Sequence, residues 1–120
     1  MLLVLKLLTL CIGLQHLYIL FLEMFLWRKP LGLKTFGNSP EKAEAMAVLA
    51  ANQGLYNGFL AAGLLWSAWA DPSLAPELRN FFLACVSVAG IYGGLSVSRR
   101  IFFIQGLPAL VTLGLSLSLR

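Results

Sequence analysis

Charged side chains are scarce in this chain. They make up 12% of 120 residues, five acidic and nine basic, where a soluble domain carries about a quarter. So few charges leave long apolar runs, and 59% of the residues are hydrophobic, with a mean hydropathy of +0.83. An ordinary soluble domain is excluded by this balance; an integral membrane protein of one small domain is expected. Histidine occurs once and cysteine twice. Cys11 and Cys85 both fall inside apolar runs without metal-ligand spacing and read as small packing residues. With no P-loop, no glycine-rich dinucleotide motif and no Ser-His-Asp arrangement, neither a metal nor a cofactor is expected. The net charge of +4 calls for no nucleic-acid partner, because basic rims facing anionic lipid account for it.

A helical span needs about 20 apolar residues, and the charges of this chain bound four such runs. They cover residues 3–27, 45–70, 80–98 and 101–119. The fold class is therefore all-α, an integral membrane four-helix bundle with short loops. The first run is not a cleaved signal, since Gln15 and His16 interrupt it and Trp27-Arg28-Lys29 follow as an interface anchor. Arg28, Lys29, Lys34, Lys42, Arg99 and Arg100 fall on one side of the membrane, against Lys6, Arg79 and Arg120 on the other. The positive-inside rule then puts the basic links in the cytoplasm and both termini outside, in a bacterial inner membrane.

The links carry turn and cap chemistry. In Pro30–Pro40 (PLGLKTFGNSP), the one substantial loop expected, Pro30 and Gly32 stop the first helix and Gly37-Asn38 make a turn. Ser39-Pro40-Glu41 reads as N-cap, first helical position and acidic first turn. Asp71 or Ser73 is expected to cap the third helix, and Arg99-Arg100 to join the last two spans in a tight hairpin. Pro108 should bend the fourth helix and free a carbonyl that protein or water must satisfy.

The most informative residue is Glu23, a carboxylate inside the first span. His16 lies seven residues before it, on the same face. Ionisable groups in hydrocarbon are costly unless paired or hydrated, so they mark functional sites. Measured from the cytoplasmic helix ends, Glu23, Tyr92 and Gln105 fall in a shallow layer, and His16, Asn52, Gln53 and Asn57 in a deeper one. Gln53 aligns with Asn57, and Asn52 with Tyr56, so the second span presents amides over a broad arc. Facing that arc, the heptad stripe Thr9, His16, Glu23 would enclose a polar pocket. The alternatives are that Glu23 snorkels to Arg28, Lys29 or Arg99, and that His16 and the amides only tie helices together.

Small residues recur every four positions at Ala50, Gly54, Gly58 and Ala62, and again at Gly90 and Gly94. Such faces let backbones approach closely. Packing within the monomer is expected first, with a homo-oligomer as the alternative.

The stretches His16-Leu17-Tyr18, Leu22-Glu23-Met24-Phe25-Leu26-Trp27 and AANQGLYNGFLAAGL, from Ala50 to Leu64, resemble the domain-of-unknown-function 1304 family. These are small four-span membrane proteins of bacteria and fungi. The resemblance covers nearly the whole chain and implies the fold and the membrane, but no activity or substrate. On the residues themselves, the first reading is a protein that binds or transports a small solute, with proton linkage through Glu23 and His16. A cofactor-free membrane enzyme acting on a lipophilic substrate would use Glu23 as general acid or base, with Tyr56 or Tyr92 donating a hydrogen bond. A structural subunit would assemble through the glycine faces.

Overall fold

A computed structural model describes residues 1–120. It is all-helical, without strands: α1 (Leu2–Met24), α2 (Pro30–Phe36), α3 (Pro40–Ser67), α4 (Ala75–Ser96) and α5 (Arg99–Ser118). Within α5 the stretch Phe102–Gly106 has π-helical hydrogen bonding. Three helices, α1, α4 and α5, are long and apolar enough to cross a membrane.

The principal contact joins α1 to α3, and its spacing explains it. Buried positions on α1 step by four and three through Leu5, Thr9, Ile12 and His16, and reach Glu23 one heptad on. On α3 the buried residues include Ala43, Ala50, Gly54, Asn57, Ala61 and Leu64. Alternating steps of three and four keep one stripe facing a partner, as in coiled-coil seams. The pairing is antiparallel: Gly13 abuts Leu64 and Leu65, while Gly54 abuts Met24 and Glu23. A Cβ at Gly58 would stand 2.6 Å from Leu20 Cδ1. The expected stripe of every fourth residue does not hold to its end, because Ala62 is exposed. A strict period of four drifts around a helix of 3.6 residues per turn, and the seam follows Asn57, Ala61 and Leu64 instead.

The pair α4–α5 is drawn together by glycine. A Cβ on Gly90 would lie 2.3 Å from the Gly106 Cα, and one on Gly94 would lie 2.6 Å from Phe102 Cβ. Ile12, Leu64, Leu83, Val86 and Ala109 form the apolar core where all four long helices meet.

Several local expectations need correction. The first helix ends at Met24, not at Trp27. Trp27 lies beyond it, where its Nε1 donates to the Ala43 carbonyl at 2.8 Å and its ring packs on Phe36. The Pro30–Pro40 segment is largely helix α2: Pro30 begins it, and Gly37 ends it with φ 67°. Proline fits the first turn of a helix as well as it stops one, and glycine accepts the left-handed cap. Helix α4 starts at Ala75, ahead of Arg79, with Pro76 in its first turn. Neither Asp71 nor Ser73 caps it; the Asp71 carbonyl instead accepts from the backbone of Leu74 and Ala75. Ser39 does cap α3, accepting from the Lys42 amide at 3.2 Å, and two residues, Val97 and Ser98, separate α4 from α5.

The carbonyl that Pro108 deprives is identifiable. Ile104 stands four residues before Pro108, the position whose α-helical donor a proline removes. Its oxygen accepts from Gln15 Nε2 at 3.0 Å, across from α1. The π-helical turn widens the helix just ahead of the proline ring.

Candidate functional site

Glu23 lies in the α1–α3 seam, where Gly54 permits the two backbones to close. A Cβ at Gly54 would stand 3.0 Å from Glu23 Cβ and 3.2 Å from the Leu20 carbonyl. That closeness brings Asn57 against the acid: Asn57 Nδ2 donates to Glu23 Oε1 at 2.6 Å, and to the Gln53 carbonyl at 3.2 Å. The two side chains belong to residues only 8% and 7% exposed. The Gln53 carbonyl can only accept, so it fixes the Asn57 amide with nitrogen toward Glu23 and leaves Oδ1 as a further acceptor.

The carboxylate borders a cleft of about 620 Å³ between the end of α1 and the first half of α3. Trp27, Arg28, Lys29, Glu44, Val48 and Asn52 help line it. Arg28 Nη1 meets Glu44 Oε2 at 2.9 Å on its rim. Glu23 therefore does not snorkel to a base: Arg28 is engaged by Glu44, and the only other ion pair joins Glu77 to Arg120 at the far end of the bundle.

His16 is fully buried, at 0% exposure. Its Nδ1 is 2.9 Å from the Ile12 carbonyl. A carbonyl cannot donate, so in the neutral ring Nδ1 carries the proton and Nε2 holds the lone pair. Nε2 has no partner. Glu23 lies two turns away on the same face, about 10.5 Å along the helix. Thr9, one heptad further, returns its hydroxyl to the Leu5 carbonyl at 2.8 Å.

Of the residues singled out from sequence, Glu23 and Asn57 are thus in direct contact, Asn52 lines their cleft, and His16 is buried beyond them on the same stripe. The remaining four stand elsewhere. Gln53 and Tyr56 are exposed on another side of α3, and Tyr92 is exposed on the outer face of α4. Gln105 is half-buried in the π-helical turn. Gln15, not singled out, carries the contact to Ile104. Its signal was an amide beside His16 in a helix that must face a proline-freed carbonyl. A second polar cluster at the opposite end was also missed: Arg79 Nε donates to Ser116 Oγ at 2.8 Å, and that hydroxyl donates to Asn80 Oδ1 at 2.5 Å. The adjacent Arg79-Asn80 pair, one turn into α4, was the available sign of it.

Residues 10–117, which contain Glu23, Asn57 and Gln15, match the family described as protein of unknown function (DUF1304). The uncharacterised protein YpaA of Lactococcus lactis subsp. lactis (strain IL1403) is 30% identical over 108 residues, covering 88% of this chain and 90% of that protein. No solved structure matches. A match spanning nearly the whole chain, with a relative of the same length, shows that the chain belongs to the DUF1304 family.

Proposed function

We propose that this is a four-span membrane protein that binds, and moves across the bilayer, a small solute bearing N–H or O–H donors, with Glu23 as its first anchor. The observation that carries the reading is the Glu23 carboxylate, held in the α1–α3 seam by Asn57 alone and bordering a cleft. An acid so placed needs a cation, a proton or water to complete it.

The groups left free point to the chemistry of the solute. Asn57 spends both amide hydrogens on Glu23 and Gln53, and His16 spends its ring hydrogen on Ile12. What remains beside the acid is a carboxylate oxygen and Asn57 Oδ1, both acceptors, while His16 Nε2 is sealed in the seam two turns away. A donor-rich cation such as a protonated amine fits those acceptors, with Arg28, held by Glu44, and Lys29 also lining the cleft. Glu23 can also take a proton in place of the solute, which would link solute movement to a proton gradient.

Crossing by α3 is supported by its partnership with α1. The two are antiparallel from Gly13–Leu65 to Met24–Gly54, so a bilayer spanned by α1 encloses α3 as well. The polar residues of α3 lower its hydropathy without shortening it. With the basic links inside, both termini lie outside a bacterial inner membrane. Assembly through glycine faces loses its support, because Gly54, Gly58, Gly90 and Gly94 all meet residues of their own chain. The enzyme reading is weakened by Tyr56 and Tyr92, which lie away from the Glu23 cleft.

The test is native mass spectrometry of protein gently extracted from its own membrane, comparing wild type with Glu23→Gln and Asn57→Ala. A small amine present on the wild type and absent from both variants is the expected result. An empty wild type, or a ligand retained by Glu23→Gln, removes the site.

A further inference from the structure

The end of the bundle away from Glu23 carries a polar cluster that the proposed function leaves unused. Arg79 Nε donates to Ser116 Oγ at 2.8 Å, and that hydroxyl donates to Asn80 Oδ1. Ser116 is only 1% exposed, so these bonds are built into the contact between α4 and α5. What the cluster leaves over is all of one kind. Neither Nη atom of Arg79 donates to any group of the chain, and Asn80 Nδ2 is buried without a partner. Every unspent group is a donor, so whatever completes the cluster brings acceptors. Asn80 Nδ2 is covered; the half-buried Arg79 is what a ligand can reach.

Charge points the same way. Arg79 forms no ion pair. Glu77, the acid of α4, is taken by Arg120, which stands four residues past Ser116 on the same side of α5. Asp71, the other acid at this end, pairs with no base, and Glu23, Glu41 and Glu44 belong to the opposite end. Two guanidinium groups thus stand at the α4–α5 contact with one carboxylate. Arg79 lies four residues into α4, about 6 Å along the helix. Behind it, residues 80–98 carry no charge. In a bilayer that α4 crosses, the guanidinium stands at the rim of the hydrocarbon, where an unpaired charge is costly and phosphate groups are at hand.

We propose that Arg79 binds a phosphate group at this rim, its two Nη atoms donating as a fork to two phosphate oxygens. A guanidinium matches phosphate in this bidentate way, whereas an ammonium meets it as a point charge. Ser116 and Asn80 are positioning residues. With Nε tied to a hydroxyl that is itself tied to Asn80, the guanidinium plane is set before the ligand arrives. The phosphodiester of a lipid headgroup and inorganic phosphate both present the required oxygens. The site is independent of what the Glu23 cleft binds and of whether α3 crosses the bilayer.

The experiment uses the full chain in a maltoside detergent, which contains no phosphate, with phosphatidylglycerol or inorganic phosphate added in turn. Native mass spectrometry counts the lipid retained, and thermal unfolding reads stabilisation by either probe. One phosphate-bearing ligand per chain is the expected result. Retained phosphatidylglycerol makes the headgroup the source, and stabilisation by inorganic phosphate alone makes it the free anion. Arg79→Gln should weaken binding about tenfold or more. Arg79→Lys keeps the charge without the fork and should also bind more weakly. Ser116→Ala should reduce binding with Arg79 still in place, because Nε is then released. Lys42→Gln, at an exposed base of the opposite end, should change nothing. No response to either probe, or binding kept in full by Arg79→Gln or Arg79→Lys, overturns the proposal. An equal loss in Lys42→Gln does so too, since the binding would then be a general attraction of basic rims for anions.

Discussion

At the residue scale, the Glu23–Asn57 pair is where charge, burial and packing conflict most. The carboxylate has one protein partner, so the effect of a substitution depends on which side of the hydrogen bond is removed. Asn57→Leu leaves an acid in the seam without a donor and should destabilise by about 1–3 kcal/mol. Glu23→Gln keeps an accepting oxygen toward Asn57 Nδ2 and should cost less. Glu23→Leu combined with Asn57→Leu should recover much of the loss of Asn57→Leu alone, because no polar group is then stranded. Unfolding followed by tryptophan fluorescence in mixed micelles measures all four proteins. Equal destabilisation by Glu23→Gln and Asn57→Leu would show that the amide–acid bond is not what matters there. The stripe of Thr9, His16 and Glu23 was legible in the sequence because a seven-residue repeat returns to one helical face whatever lies opposite. Asn52, Gln53, Tyr56 and Asn57 were not separable in that way. They cover an arc, and which part of an arc is buried is decided by the partner helix, here by where Gly54 lets α1 approach.

At the scale of elements, proline and glycine decide how the helices meet, and each leaves a measurable trace. Gln15 binds the Ile104 carbonyl that Pro108 deprives of its ordinary donor. Gln15→Ala should therefore destabilise by about 1 kcal/mol or more. Pro108→Ala restores the backbone donor, so the same Gln15→Ala change should cost less in that background. Additive effects in this double-mutant cycle would separate the two residues. The glycines give a sharper contrast. A methyl group at Gly90 meets the backbone of Gly106, which cannot rotate aside, whereas nothing lies within 4 Å of a Cβ at Gly114. Gly90→Ala should part α4 from α5 and lower stability by about 1–3 kcal/mol. Gly114→Ala, at an open position in the same helix pair, should be neutral or stabilising by up to about 1 kcal/mol. Thermal unfolding of both variants under one condition checks the difference, and a similar loss in both would remove the close-approach argument. The four long helices were legible here, but the short helix α2, read as a loop, and the helix ends were not. Pro30 reads as a breaker, yet it opens a helix, as Pro76 does at the start of α4, since proline's missing donor is harmless in a first turn.

At the scale of the whole molecule, the number of crossings is the property on which most else depends. Helices α1, α4 and α5 are apolar enough to span by their own composition; α3 is not among them. It is nevertheless the longest helix, at 28 residues, and lies along α1 through most of the apolar run. With four crossings, the link before α3 and the link after it lie on opposite sides of the membrane. If α3 stayed at the surface, they would lie on the same side. Single cysteines at Asn38→Cys and Ser73→Cys, in a chain lacking Cys11 and Cys85, separate these arrangements in intact cells treated with an impermeant maleimide. The expected outcome is labelling of Ser73→Cys before permeabilisation and of Asn38→Cys only after it. That outcome follows from the proposed orientation, in which the basic residues around α2 keep their link in the cytoplasm. The reverse pattern would keep four crossings and invert the orientation, putting Arg28, Lys29, Lys34 and Lys42 outside against the usual bias. Equal labelling of both would bring α3 out of the bilayer, and would leave the acid at Glu23 with an aqueous neighbour instead of a membrane-buried seam.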